Sequence, residues 1–133
     1  MLITEDIKLD YSDVLIRPKR STLTSRFDVD MEKTYKFVHS QKEWTGVPIM
    51  ASNMDTVGTF EVHKALSEFG MVTCIARHYN YAPNKWQQKS VCENNNSICV
   101  MGGIGESEFS LITNIHKKFD CAFMGLDVAN GYT

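Results

Sequence analysis

Between residues 47 and 126 the chain repeats one unit: a short apolar run, an abrupt polar stop, then a segment with helical spacing. Val47–Ala51 stops at Ser52, Asn53 and Asp55. Met71–Ala76 stops at Arg77-His78-Tyr79, Ser97–Met101 at Gly102-Gly-Ile-Gly105, and Cys121–Leu126 at Asp127. Between the runs, Val62, Ala65, Leu66 and Phe69 follow i, i+3, i+4, i+7 spacing and Gly70 closes the helix. Residues Pro83 to about Cys92 have helical composition, with Pro83 placed for a first turn, and Asn94-Asn95-Asn96 makes a turn. Phe109, Ile112, His116 and Phe119 fall on one helical stripe. The order is β-α-β-α-β-α-β with strands apolar throughout, which implies a parallel sheet covered on both faces. Polar motifs then lie at the C-terminal ends of the strands, where such folds keep their chemistry. A plain turn, with Ser52 or Asp55 capping the next helix, would explain the first of them equally well. An eight-stranded βα barrel needs about 250 residues. The pattern alone therefore allows an open four-stranded α/β sheet or half a barrel.

Residues 1–46 read as a lead-in, and residues 47–133 as the repeating unit. Tyr11–Ile16 suits a short strand or extended segment ended by Pro18, and Thr34–Val38 a second short strand. Lys19, Arg20 and Arg26, interleaved with Ser21, Thr22, Thr24 and Ser25, form a basic, hydroxyl-rich loop. Such a loop can hold phosphate through charge-assisted hydrogen bonds or stay solvated. The net charge of −2 gives no electrostatic reason for a nucleic-acid partner, and no apolar stretch reaches the roughly 20 residues that span a bilayer. No signal peptide is visible at the N-terminus. Cys74, Cys92, Cys99 and Cys121 form no Cys-x-x-Cys pair and read as reduced thiols, three of them inside apolar runs. His39, His63 and His116 have no partner motif; the last two are expected at helix surfaces, and no metal site is expected.

The wording of the stops is more specific than their placement. Asn53-Met-Asp-Thr-Val-Gly58, Asp13-Val-Leu-Ile-Arg-Pro-Lys-Arg-Ser-Thr-Leu23, Ser25-Arg26, Gly46-Val-Pro48, His78-Tyr79 and Asp127-Val-Ala-Asn-Gly-Tyr132 run across nearly the whole chain. In order and spacing they resemble the family of inosine-monophosphate dehydrogenases and GMP reductases. The reductases are the nearer branch. The dehydrogenases usually show Ser-Pro-Met-Asp where this chain has Ser52-Asn53-Met54-Asp55, and carry a long insertion after strand two. The resemblance implies the N-terminal half of a TIM (βα)8 barrel, about four parallel strands with intervening helices, truncated after strand four.

It further implies NADPH-dependent conversion of GMP to IMP and ammonia by a cytoplasmic enzyme that forms homotetramers. In the family a cysteine thiolate attacks purine C2 and hydride is delivered to the same carbon, which splits a difficult deamination into two steps. That cysteine belongs to a Gly-x-Gly-Ser-x-Cys-Thr-Thr loop, which this sequence lacks, so no catalytic residue is assigned and the 133 residues alone are expected to be inactive. Potassium-binding carbonyls near that loop are absent with it. The resemblance places Ser25, Arg26, Arg77, Asp127, Val128 and Ala129 on the cofactor side, and Asn53, Met54, Asp55 and Thr56 beside the purine. Arg77 follows Ala76 where the reductases usually have His-Lys, which preserves charge but changes geometry. Met101-Gly-Gly-Ile-Gly105 replaces a Ser/Thr-rich turn. The alternative of another class is a non-catalytic form that only binds or assembles.

Overall fold

The structure, a computed structural model, describes residues 6–87 and 95–131. Cys92, Asn94, Tyr132 and the second half of the helix expected over 83–92 lie outside the described residues. Two compact units result, Met1–Asp30 and Met31–Thr133.

In the first unit, local side-chain hydrogen bonds shape the chain. The run from Tyr11 opens as a 3-10 turn, Tyr11–Asp13, and returns to extended backbone only at Val14. Asp10 accepts from the Tyr11 N–H while Asp13 accepts from the Asp10 N–H, so short carboxylates hold the turn against strand formation. A second turn, Arg26–Asp28, is capped in the same way by Ser25 and Asp28.

The second unit opens with an antiparallel hairpin, β1 (Lys33–Lys36) and β2 (Glu43–Gly46). Four parallel strands follow in sheet order: β3 (Met50–Ala51), β4 (Val72–Ile75), β5 (Ile98–Gly102) and β6 (Phe123–Leu126). The connecting helices are α1 (Phe60–Ser67), α2 (Pro83–Trp86) and α3 (Glu106–Phe119). This is the α/β arrangement of half a TIM barrel. The first strand is shorter than its apolar run predicts. Pro48 has no N–H for a ladder, so only Val47 and Ile49 reach across, to Gly70 and Val72, before the strand proper begins. Gly70 makes that return with φ of +66°, a conformation other residues seldom adopt.

The strand register sorts side chains between two faces. Ile75, Ile98 and Val100 turn toward the helices and join Phe60, Trp86, Ile112 and Ile115 in the core. Phe60 meets Trp86 edge-on at 5.2 Å and Tyr79 at 5.0 Å, and each fully buried side chain of this kind contributes about 1.5–3 kcal/mol. Cys74, Cys99, Met101 and Phe123 point to the opposite, inner face by strand alternation. The described thiols Cys74, Cys99 and Cys121 are free.

Three side chains depart from the periodicity. His63, expected at a surface, is fully buried, because α1 docks through Phe60 and His63 rather than through Ala65, which is exposed. Phe69 is 65% exposed, since α1 ends at Ser67 before the stripe is complete. Phe109 is exposed, and α3 buries Ile112 and Ile115 instead.

Candidate functional site

The C-terminal ends of the parallel strands converge on one another. Asn53, just past β3, donates from Nδ2 to Oδ2 of Asp127, just past β6, at 2.7 Å. Strands β3 and β6 are separated by β4 and β5. On a flat sheet three strand spacings would hold them about 14 Å apart, beyond the reach of two short side chains. The sheet is therefore curved, as an arc of a barrel must be. Asp127 is also anchored through its backbone, whose N–H donates to the Gly102 carbonyl at 2.8 Å. Its carboxylate reaches across the mouth.

Beside Asp127, a cleft of about 410 Å³ is lined by Arg77, Gly103, Gly105, Glu108, Val128 and Ala129, among others. That volume falls toward the lower end of small-molecule sites. Arg77 arrives from the 3-10 turn after β4, Glu108 from the first turn of α3, and Asp127 to Ala129 from the segment after β6. Arg77 Nη2 donates to Glu108 Oε1 at 2.5 Å. Glu108 first, and Asp127 more weakly, raise the guanidinium's pKa above its ordinary value and keep it charged. Beneath the pair lies Gly103: a Cβ there would run into Glu108 Oε2 and approach Arg77 Nη2 at 3.2 Å. The floor is thus open to a ligand because position 103 carries no side chain. Neutral surroundings complete it, with Val128 and Ala129 small and apolar.

The remaining residues expected at the mouth are placed as follows. Asp55 Oδ1 lies 3.3 Å from Nδ1 of His78, linking the loops after β3 and β4. Met54 and Thr56 are exposed on the same loop, and Asn53 is half-buried. Asn80, buried, fixes the turn after β4 by donating to the Met101 carbonyl at 2.7 Å. Ser25 and Arg26 sit in the first unit, where the Ser25 hydroxyl accepts from the Phe27 N–H and Arg26 stands in the capped turn. Glu108 is not signalled by the sequence as the partner of Arg77: 31 residues separate them, and only the β4–β5–α3 topology brings them together. The usable clue was an acid in the first turn of a helix directly after a glycine run. Among the described residues no group of three His, Cys, Asp or Glu side chains could hold a metal, and no helix is long and apolar enough to cross a membrane.

The cleft combines a cation held in place, a carboxylate acceptor just past a strand end, and a floor without a side chain at position 103. No protein-family model matches the chain. It is, however, similar along its length to curated proteins named GMP reductase. Identity is 42% to one from Phytophthora infestans, covering 98% of this chain and 36% of that protein. Identity is 44% to one from Klebsiella pneumoniae and 42% to one from Escherichia coli, each covering all of this chain and 39% of the relative. The chain therefore spans a little over a third of the length of the curated relatives it matches.

Proposed function

We propose that this chain is the N-terminal part of a GMP reductase, the first half of its barrel, and that it supplies the cofactor side of the site. The observation that carries the proposal is similarity to proteins of that name along the entire chain at 42–44% identity. The reaction is reductive deamination of GMP to IMP and ammonia. The cofactor is NADPH, which when bound supplies hydride to purine C2. Arg77, held by Glu108, donates to oxygens of the cofactor, and Asp127, held by Asn53, accepts from its ribose or amide. Val128 and Ala129 keep water from the ring's face, and Asn53 to Thr56 border the purine. Ser25 and Arg26 contribute to a cofactor site of a neighbouring subunit in a homotetramer, the basic guanidinium toward phosphate. The setting is the cytoplasm, and a potassium ion belongs with the nucleophile loop, not with these residues.

The 133 residues contain no cysteine in the family's nucleophile motif, so on their own they are inactive. NADPH oxidation in the presence of GMP tests this. No turnover is expected from the chain alone, and a rate within about tenfold of a GMP reductase containing that motif, some 1.4 kcal/mol in barrier, would overturn it. Binding of NADPH to the chain, followed by calorimetry, tests the cleft itself.

A further inference from the structure

We infer that Glu108 is a specificity-determining residue that makes the cleft favour the oxidised, positively charged nicotinamide over the reduced, neutral one. The inference rests on the reading of this cleft as a cofactor site.

Arg77 suggests a phosphate clamp by its type, yet its charge is already met by Glu108 at 2.5 Å and drawn further by Asp127. Those three are the charged side chains lining the cleft among the described residues, one cation against two carboxylates. The wall carries a net negative charge. The N-terminus of α3 adds a partial positive charge to the same wall, but Glu106 and Glu108 in its first turn oppose it. Beyond the charged residues the lining is Gly, Ala, Val, Ile and Asn, which cannot offset the excess. Such a wall repels a phosphate and attracts a delocalised cation.

Nicotinamide differs between its two forms by one hydride, two electrons and a proton. The reduced ring is neutral and the oxidised ring carries one positive charge. In the proposed reaction the hydride goes to the purine carbon that has lost ammonia, and the positive charge develops on the ring. A negative wall therefore binds the ring more tightly after donation than before, and it lowers the energy of the charge as it develops. Glu108 acts in two ways. It adds its own charge, and it neutralises the guanidinium that would otherwise repel the ring. Gly103 makes both effects available, because it lets the ion pair lie on the cleft floor.

The experiment compares the affinities of the full chain for NADP+ and NADPH by isothermal titration calorimetry. The two forms carry the same phosphates, so the ratio of their dissociation constants isolates the ring charge from any general weakening. In Glu108→Gln the ratio of NADP+ to NADPH dissociation constants should rise roughly three- to tenfold. Glu108→Lys should raise it further, and Glu108→Asp should restore it. In 0.5 M salt the difference between parent and variant should shrink. A ratio unchanged in both Gln and Lys variants, with each form still bound, would overturn the inference while leaving the cofactor cleft in place. A parent chain that binds neither form would overturn the reading of the cleft and the inference with it. Thermal unfolding of each variant checks that the fold survives, and the Asp variant supplies the charge-conserving control should the Gln variant be unstable.

Discussion

At their N-terminal ends the parallel strands meet the β1–β2 hairpin, where Trp44 and Phe37 each pack against Phe123 at 5.7 Å. An apolar hollow of about 240 Å³ lies there among Tyr35, Pro48, Met50 and Val72, with a larger recess of about 470 Å³ beside it toward His116 and Cys121. At their C-terminal ends the same strands lead into Asn53, Arg77 and Asp127: Asn53 donates to Asp127, and Arg77 pairs with Glu108. Both ends are concave, and the lower one has the larger space. Volume alone would choose the lower end. The difference lies in what the walls can specify: aromatic edges fill space without fixing a ligand's orientation, whereas a guanidinium and two carboxylates, held by a turn, a helix start and a strand end, can. The lower end holds the hairpin onto the sheet, and the upper end carries the directed polar groups.

The layer under both ends offers the largest test. Trp86 is buried against Phe60 and Phe119, and its Nε1 donates to the Tyr79 carbonyl at 3.0 Å. Trp86→Ala should cost about 3–5 kcal/mol in urea unfolding and weaken both ends alike. Next, Phe123→Ala should cost about 2 kcal/mol, because the side chain is only half-buried, and leave NADPH affinity in the folded protein unchanged. A large loss of affinity would erase the separation of the two ends. The reverse test is Asp127→Asn, which keeps the shape and removes the charge. NADPH affinity should fall roughly tenfold with the unfolding midpoint unmoved.

The effect that vanishes at neutral pH is a pH dependence at the lower end. Burial first, and Asp120 second, push the Cys121 thiol from 9.0 up to about 12, with a backbone hydrogen bond opposing. The unfolded chain then loses this proton before the folded one does. Below pH 9 the group has no differential effect, and between pH 9 and about 12 stability falls as pH rises. The slope attributable to Cys121 should stay below about 1.4 kcal/mol per pH unit. Subtracting the profile of Cys121→Ser removes the parallel titration of lysines and tyrosines. Identical profiles would show that this thiol is solvated in solution.

The three later strands were legible because each is a continuous apolar run between polar stops, and a parallel strand buried by helices needs nothing else. The first strand was legible in place but not in length, although Pro48 carried the warning. Helix faces were less legible. A stripe at Val62, Ala65, Leu66 and Phe69 is a fair helical reading, but docking is decided by which residues the sheet can receive, and Phe60 and His63 fit there. At the site, Arg77, Asp127, Val128 and Ala129 share one cleft, as positions at the C-terminal ends of strands in one parallel sheet should. Glu108 and the Asn53–Asp127 bridge depend on curvature and long-range pairing, which no local window contains.

The Trp44 contact also has a meaning in time. Its indole N–H donates to the Asn96 carbonyl, 52 residues away, at 2.9 Å, and its ring packs on Phe123 in the last strand. The hairpin that carries it is local and closes within microseconds, but its partners assemble only after β4, β5 and β6 have paired across long intervening segments. Trp44 therefore waits for the rest. Trp86, by contrast, has its hydrogen-bond partner Tyr79 only seven residues away. With Trp86 replaced by Phe, the remaining indole's fluorescence in stopped-flow refolding should change with the late pairing of the strands rather than with hairpin closure.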